Sequence, residues 1–292
     1  MKVCGFTFIR NAEKFDFPIV EAIRSVLPIC DGFVVAVGQS DDATRQIIEN
    51  IAPDKIIIVD TVWNENLNEG GAVYADETNK ALDAISDAYD WCFYIQGDEA
   101  VHEKYLPEIR NAMLQNLSRK QVDGLLFDFR HFYGTYDYVG DCRHWYRKEI
   151  RVVRNDKTIR SYKDAQGFRK ENRKLNVAPV AAEIYHYGWV RSPKFMQEKV
   201  QAVKAFYDGD MAAKNCEISA KEFDYGAEYD ALARFNGTHP AVMQERIKRL
   251  NWKVNVDLSK INMKLKYRVL YRVEKWFGVR LFEYQNYKIL KD

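Results

Sequence analysis

The sequence predicts an α/β fold in which a mostly parallel sheet is flanked by helices. From the first residue to about residue 126, near-continuous apolar segments alternate with segments whose apolar residues follow helical spacing. Strands buried on both faces are typical of parallel sheets that carry helices on either side. With 292 residues, 47% of them hydrophobic, the chain can bury one large core or two modest ones.

Each predicted strand in this first part is followed by a predicted helix. The strand-like segment Val3–Ile9 precedes Pro18 and an apolar helical pattern over 19–27, and proline is favoured in the first turn of a helix. Further strands are predicted at 33–37, 55–60 and 91–95, with helices at about 43–51 and 71–86 between them. The second unit therefore repeats the first.

The pattern becomes less regular after Asp98. A helix at about 106–117 leads to an apolar strand at 124–127 and then to an aromatic, charged stretch over 130–147. Strands at 150–154 and 180–186 and a helix around 196–207 follow. We therefore predict an α/β half over residues 1–126, a second half of the same domain over 127–215, and a helical extension rich in basic and aromatic residues over 216–292.

Composition and charge exclude several classes of protein. The formal net charge of +2 offers no general attraction to nucleic acid, and no nucleic-acid partner is predicted. The cysteines are odd in number and widely spaced, which argues against a disulfide framework or a zinc site and favours reduced core thiols. They are Cys4, Cys30, Cys92, Cys142 and Cys216.

The two ends of the chain bear on its location. The first residues are already strand-like and no apolar run approaches the length that spans a membrane, so we expect a cytoplasmic protein. Residues 264–292 interleave lysine and arginine with apolar and aromatic residues. This segment is either a helix packed on the body of the protein or a basic helix in peripheral contact with a membrane.

The strand predicted at 91–95 ends on a glycine and two acids, Gly97, Asp98 and Glu99. Acidic residues at the carboxyl end of a strand lie where open α/β sheets bind their ligands. One or two carboxylates, together with substrate phosphates, are enough to hold Mg²⁺ or Mn²⁺ at such an edge. The alternative is a turn whose acids lie near the start of the helix predicted at about Glu103, where negative charge is favourable.

The order of these segments resembles that of the family-2 glycosyltransferases, whose nucleotide-binding half has the GT-A fold. Residues 8–13, Phe-Ile-Arg-Asn-Ala-Glu, look like the end of the family's first strand, beside the nucleotide base. Residues 38–44, Gly-Gln-Ser-Asp-Asp-Ala-Thr, are similar to a segment with a recurrent acid, and residues 71–81 to a third-helix segment that contains an asparagine. Residues 96–98, Gln-Gly-Asp, stand in the place of the Asp-X-Asp motif.

The resemblance implies a nucleotide-diphospho-sugar donor and a Mn²⁺ or Mg²⁺ ion bound by Asp98. The residues on which it places donor contacts are Phe8, Arg10, Asn11, Glu13, Asp42, Asn79 and Gln96.

The chain also departs from the family pattern. Members commonly keep an aspartate at the end of the second strand for uracil, whereas this chain has Val37 and Gly38, so a uridine donor is not implied. Gln96 replaces the first acid of Asp-X-Asp, and an amide can bind a ribose hydroxyl but is a poor Mn²⁺ ligand. Glu99 is then either a second ligand or an acid at a helix start, and we favour the latter.

A second group of candidate residues follows the strand predicted at 180–186. His186 can offer an imidazole nitrogen to a metal, as late histidines do in some GT-A enzymes; the alternative is a hydrogen-bonded histidine within an aromatic cluster. Arg191 and Lys199 can neutralise the phosphates of a leaving group. Either can instead be a solvated charge at a helix edge.

Inverting transfer, which the resemblance implies, requires a base that takes the proton of the acceptor hydroxyl. Asp164, near the turn-forming Gly167, is the first candidate and Glu183 the second, although Asp164 can equally be an ordinary loop acid. An aromatic and basic group offers either an acceptor platform or core residues. Its members are Arg130, His131, Tyr133, Tyr136, Tyr138 and Trp145.

The predicted function is that of a metal-dependent, inverting glycosyltransferase that acts on a glycan or lipid-linked acceptor. The resemblance to the family further implies a role in polysaccharide biosynthesis. One alternative is a nucleotidyltransferase, which residues 10–15 disfavour because they contain no glycine-rich phosphate loop. The other alternative is a non-catalytic nucleotide-sugar-binding or scaffold protein, suggested by Gln96 and by the missing aspartate of the second strand.

Overall fold

A computed structural model describes residues 1–207, 221–227 and 229–290 of the chain. The strands in these ranges are β1 Val3–Ile9, β2 Gly32–Gly38, β3 Ile56–Thr61, β4 Trp91–Tyr94, β5 Glu99–Val101, β6 Gly124–Tyr133, β7 Tyr138–Gly140, β8 Lys148–Arg154, β9 Ile159–Tyr162, β10 Gly167–Lys170, β11 Arg173–Lys174, β12 Asn176–Trp189, β13 Leu232–Arg234 and β14 Lys288–Ile289. The helices are α1 Ile19–Val26, α2 Thr44–Glu49, α3 Ala72–Asp83, α4 Leu106–Gln115, α5 Pro193–Tyr207, α6 Gln244–Lys248 and α7 Leu265–Phe277.

The first four strands form the parallel part of the large sheet, in the spatial order β3, β2, β1, β4. Successive side chains of a strand point to opposite faces, and here both faces are apolar. In β2, Phe33 and Val35 pack into a core with α1, whereas Val34 and Ala36 pack into a second core with α3. The predicted α/β fold, with a sheet covered by helices, is confirmed.

Antiparallel β8 joins this parallel part to the second half of the chain. It pairs with β4 on one side and with β6 on the other, and β12 then runs parallel to β6 and antiparallel to β5. The predicted boundary between residues 126 and 127 falls inside β6. The two halves therefore share one sheet, and the later part of β12 lies beside the loop that follows β4.

The C-terminal segment is only partly helical. Helix α7 lies within the predicted basic and aromatic stretch, but β13 pairs with β7 and β14 pairs with β12, so this segment also adds two strands to the sheet. The predicted boundary at 215/216 and Cys216 lie outside the described residues. None of the helices in the described ranges has the length and apolar character needed to cross a bilayer.

The thiols in the described ranges are those of a reduced core. Cys4, Cys30, Cys92 and Cys142 are buried and unpaired, in line with the prediction. Burial raises the pKa of the Cys4 thiol to about 12, and it raises the pKa of the other three as well. These thiols are therefore protonated near neutral pH and unreactive.

Glu99 forms a fully buried ion pair with Arg151. The guanidinium donates from Nη2 to Oε1 at 2.6 Å and from Nε to Oε2 at 2.8 Å, and neither side chain is exposed. The preferred sequence interpretation of Glu99 as an acid at a helix start is therefore wrong, because Glu99 begins β5 and the next helical turn begins at Glu103. Its carboxylate is occupied by Arg151.

Removing one member of this pair leaves the other as an uncompensated buried charge. We predict that Glu99→Gln lowers the free energy of unfolding by about 3 to 5 kcal/mol, measured by urea denaturation. The matched control is Glu245→Gln, which breaks the exposed contact with Lys248 at 2.7 Å and should leave the urea midpoint unchanged. Equal midpoints for Glu99→Gln and the parent would contradict the predicted role of this pair.

Candidate active site

A cavity of about 520 Å³ opens at the carboxyl ends of β1 and β4. Its walls come from the loops that follow these strands and from the side of α5. This is the edge at which α/β sheets bind ligands. Seven of the predicted site residues line it, namely Phe8, Arg10, Asn11, Gln96, Asp98, Asp164 and Lys199.

Asp98 lies at the base of this cavity and is 8% exposed. Its Oδ2 accepts a hydrogen bond from Lys199 Nζ at 3.1 Å, and the same ammonium donates to the carbonyl of Gly188 at 2.9 Å. Burial alone would raise the pKa of Asp98, but the charge and hydrogen bond of Lys199, together with other nearby positive charge such as that of Arg191, hold that pKa well below its usual range. Asp98 is therefore a carboxylate at neutral pH.

The proton positions of a histidine pair behind Asp98 follow from its hydrogen bonds. His131 Nε2 lies 2.8 Å from the carbonyl of Tyr146, and a carbonyl only accepts, so Nε2 carries a hydrogen. Burial holds the pKa of His131 well below its usual value, which leaves a lone pair on Nδ1. His186 Nδ1 lies 3.1 Å from His131 Nδ1 and must therefore donate a hydrogen bond to it.

This chain of hydrogen bonds leaves a lone pair on His186 Nε2. Burial also lowers the pKa of His186, although the nearby Asp98 carboxylate opposes the shift, so the ring is neutral. The Nε2 atom lies 3.7 Å from Asp98 Oδ1. Two electron-pair donors therefore face each other at the edge of the cavity with no hydrogen between them.

An oxygen and an imidazole nitrogen in this arrangement suit one divalent cation that takes its other ligands from a substrate. No cluster of three or more His, Cys, Asp or Glu side chains in the described ranges could hold a metal on its own. The donor set therefore fits a cation shared with phosphate oxygens. Gln96 is a poor candidate for a further ligand, because an amide binds such a cation weakly. Its amide nitrogen donates to the hydroxyl of Tyr94 and to the carbonyl of Ala165, each at 3.3 Å.

Two positively charged side chains, Lys199 and Arg191, lie behind the Asp98 carboxylate. Burial, together with repulsion by Arg191, lowers the pKa of Lys199 to about 8, while Asp98 acts in the opposite direction. Arg191 is fully buried and donates to the carbonyls of Phe15 and Gly188 at 2.8 and 2.6 Å. Neither residue is the solvated helix-edge charge that was the sequence alternative, and the positive potential of both extends toward the cavity.

Asp164 lies on a loop held in an unusual backbone conformation. Lys163 and Ala165, on either side of it, have φ angles of +55° and +61°, a region that costs energy for residues other than glycine. Tyr207 donates from its hydroxyl to Asp164 Oδ2 at 3.2 Å. Asp164 lines the first cavity and also a second one of about 480 Å³, so it stands between them.

Six predicted site residues do not line the first cavity: His186 and Arg191 lie behind Asp98, and the other four make their contacts elsewhere. Asp42 accepts hydrogen bonds from the backbone of Lys14 and Thr44 at 2.8 and 3.0 Å, and Glu13 accepts one from Ala43, so both order the start of α2. Asn79 bonds the backbone of Ser161, which ties α3 to β9. Glu183 forms an ion pair with Arg130 and accepts from Tyr105 at 3.1 Å.

Sequence reasoning missed the aromatic wall of the first cavity. Trp63 and Tyr74 pack with each other, with Phe8 and with Phe206, at ring distances between 5.4 and 6.0 Å. A Cβ at Gly38 would lie 2.4 Å from Trp63 Nε1, so this indole occupies the space where an aspartate would otherwise stand. The sequence feature that could have indicated this wall is the position of Trp63, two residues after the end of β3.

The second cavity lies between β8, the loop of Asp164 and the C-terminal segment. Trp145 lines it, whereas His131, Tyr133 and Tyr136 are buried, which favours the core interpretation for those three.

Glu149 also lines the second cavity, is 3% exposed and accepts a hydrogen bond from Gln166 Nε2 at 2.9 Å. Burial raises the pKa of Glu149 to about 7, although the charge of Arg151 opposes the shift.

Because this pKa is raised in the folded state, the fold favours the protonated form of Glu149. That contribution to stability is complete below about pH 4.5 and is lost as the pH rises through about 7. We predict that the unfolding free energy of the parent, relative to Glu149→Gln, falls by about 1 to 3 kcal/mol between about pH 5 and about pH 8. The control Glu108→Gln, on exposed α4 surface, should keep the pH dependence of the parent, and parallel curves for parent and Glu149→Gln would contradict the raised pKa.

Comparison with known proteins finds distant structural similarities. No protein-family description and no curated protein matches the chain. Among solved structures, the chain is similar to S. aureus TarS, with 16% identity over 70% of this chain and 39% of that chain and a TM-score of 0.40. It is also similar to residues 1–349 of TarS in complex with UDP-GlcNAc, with 14% identity over 76% of this chain and 68% of that chain and a TM-score of 0.41.

A third similar structure is glucosyl-3-phosphoglycerate synthase from Mycobacterium tuberculosis in complex with Mn²⁺, UDP and phosphoglyceric acid. The identity is 18%, the match covers 45% of this chain and 43% of that chain, and the TM-score is 0.29. The match thus spans less than half the length of the synthase and of the first TarS structure. These similarities do not by themselves assign an activity.

Proposed function

We propose that the protein is a glycosyltransferase that moves a sugar from a nucleotide-diphospho-sugar to a glycan acceptor with divalent-cation dependence and inversion at the anomeric carbon. The observation that carries this proposal is the pair formed by Asp98 Oδ1 and the His186 Nε2 lone pair, 3.7 Å apart at the carboxyl edge of the sheet. A diphosphate is the partner that such a two-ligand site requires.

The remaining groups of the first cavity fit the other parts of the donor. Lys199 and Arg191 stabilise negative charge that develops on the departing diphosphate. The faces of Phe8, Trp63 and Tyr74 offer a stacking surface for a flat base. A cation held by Asp98 and His186 would act as a Lewis acid toward the diphosphate oxygens.

Asp164 is the proposed base because it stands between the two cavities. A sugar bound beside Asp98 and an acceptor bound in the second cavity would meet at this carboxylate. The acceptor oxygen forms a bond to the anomeric carbon, the bond from that carbon to the phosphate oxygen breaks, and Asp164 takes the hydroxyl proton. Glu183 is a weaker candidate because Arg130 and Tyr105 already occupy its carboxylate.

The two alternative functions differ from this one in their products. A transferase releases nucleoside diphosphate from a nucleotide-sugar, and a nucleotidyltransferase releases pyrophosphate from a nucleoside triphosphate. A non-catalytic binding protein releases neither. Incubation with a panel of nucleotide-sugars and triphosphates, with and without Mn²⁺, separates the three, and release of pyrophosphate alone would replace the proposed activity.

Asp98→Asn should abolish Mn²⁺-dependent donor binding, because an amide oxygen lacks the charge that attracts the cation. Titration calorimetry with the nucleotide-sugar and Mn²⁺ measures the affinity. The matched control is Asp41→Asn, which removes an acid of the same cavity whose carboxylate pairs with Lys14, and it should bind like the parent. Unchanged donor affinity in Asp98→Asn would reject the metal site.

Asp164→Asn should retain donor binding but lose turnover by a factor of roughly 10² to 10⁴, the usual contribution of a positioned general base. Initial rates of nucleoside diphosphate release in the presence of acceptor measure the loss. Glu65→Gln, which removes another acid from the first cavity, is the control and should keep parental turnover. Turnover at the parental rate in Asp164→Asn would show that Asp164 is not the general base.

A further inference from the structure

Helix α7 turns a stripe of apolar residues toward solvent. Leu265, Val269 and Trp276 lie on one side of the helix, at positions i, i+4 and i+11, and are 77%, 53% and 75% exposed. A helix at the surface of a globular protein normally places such a stripe against the core. In α7 the apolar stripe faces solvent instead of the core.

Polar contacts attach the opposite side of α7 to the body. Tyr271 donates to Asp141 Oδ2 at 2.9 Å, and Lys275 forms an ion pair with the same carboxylate at 2.5 Å. Glu274 accepts from Arg280 at 2.9 Å and lies 3.5 Å from Arg143. These contacts fix the rotation of the helix, so the apolar stripe is exposed because the polar side is bound.

The exposed apolar surface continues beyond the helix. Seventeen large hydrophobic residues in the described ranges are exposed, and ten of them lie between residues 265 and 289. We name this set the C-terminal apolar surface; its members are Leu265, Tyr267, Val269, Trp276, Phe277, Val279, Leu281, Phe282, Tyr284 and Ile289. Clustering of this kind marks an interaction surface, unlike the scattered apolar residues of an ordinary exterior.

The charge of the same segment identifies the partner. Residues 264–290 contain seven basic and two acidic side chains, a net charge of +5 in a chain whose total is +2. Lys266, Arg268 and Arg272 flank the apolar stripe, and no carboxylate in the described ranges forms an ion pair with them. Two copies of the chain meeting through this surface would oppose these charges, whereas an anionic surface attracts them.

We propose that α7 and the segment after it dock the protein on an anionic lipid bilayer. Aromatic residues with basic neighbours suit the boundary between headgroups and acyl chains, where the ring enters the apolar layer and the cation stays with the lipid phosphates. Trp276 and Phe282, 75% and 90% exposed, are the anchoring side chains. Lys266, Arg268 and Arg272 supply the electrostatic attraction.

The docking surface borders the second cavity. Tyr267, Phe282 and Tyr284 belong to the C-terminal apolar surface and also line this cavity, which contains Asp164. A bilayer in contact with these residues would present headgroups at the mouth of the cavity. If the proposed function holds, the acceptor is therefore a lipid-linked glycan whose lipid stays in the bilayer.

The test is co-sedimentation of the full chain with vesicles. Vesicles of phosphatidylcholine with about 30% phosphatidylglycerol should bind the parent, pure phosphatidylcholine vesicles should bind it weakly, and raising the salt from about 0.1 M to about 0.5 M should release it. The double variant Trp276→Ser with Phe282→Ser should bind roughly tenfold more weakly. The control Ile57→Ser with Val62→Ser, at residues 56% and 71% exposed on and beside β3, should bind like the parent.

Failure of the parent to bind anionic vesicles, or equal binding by parent and the Trp276 and Phe282 variant, would overturn the proposal. Light scattering adds a second readout: a dimeric parent that becomes monomeric in this variant would assign the surface to a second copy of the chain instead. Calorimetric donor binding should be equal in parent and variant. A parent that binds vesicles but no donor would reject the proposed function and leave the docking surface in place.

Discussion

The candidate site depends on the buried ion pair between Arg151 and Glu99. Besides its two bonds to Glu99, Arg151 donates from Nη1 to the carbonyl of Gln166 at 3.0 Å, and Glu99 Oε2 accepts from the backbone of Gln96 at 3.1 Å. One guanidinium therefore connects the turn that carries Asp98 with the loop that carries Asp164. A buried pair of this kind is expensive to desolvate, and its value lies in the fixed geometry that it imposes on both loops.

The fold was predictable because its signals are local. Continuous apolar runs predicted β1 to β4 within one or two residues, and helical spacing predicted α3 and α5. The position of Asp98 at a strand end was equally local. The partnership of Glu99 with Arg151 was not, because the two residues are separated by 52 positions and only the pairing of β8 with β4 brings them together.

Motif resemblance placed residues along the chain without giving the direction of their side chains. Asp42 and Asn79 fall in segments that resemble the family, yet their side chains accept hydrogen bonds from the backbone of Thr44, at the start of α2, and of Ser161, in β9. His186 was predicted from its strand end, but its lone pair follows from the carbonyl of Tyr146 and the ring of His131, which only the register of β6 with β12 brings into line. Side-chain direction is set by tertiary contacts that no short motif records.

The departure at Gly38 has a steric explanation. Any side chain at this position meets the indole of Trp63, whose Nε1 would lie 2.4 Å from the added Cβ. Glycine at 38 and tryptophan at 63 are therefore one packing arrangement: the first makes room for the second, and Arg10 stacks over the indole at 5.4 Å. Specificity for a base at this wall would rest on ring stacking and on the Arg10 charge, since a carboxylate cannot stand there.

The loop that carries Asp164 lies between the two cavities, and its backbone is strained. Positive φ at Lys163 and Ala165 is costly for side chains with a Cβ, and such strain persists only where surrounding contacts enforce it. Here Gln96 donates to the carbonyl of Ala165 and Tyr207 holds the Asp164 carboxylate from the side of α5. The groups that keep Asp164 in place are thus themselves residues of the first cavity. Occupation of that cavity by a ligand that moves Gln96 or Tyr207 would act directly on the orientation of Asp164.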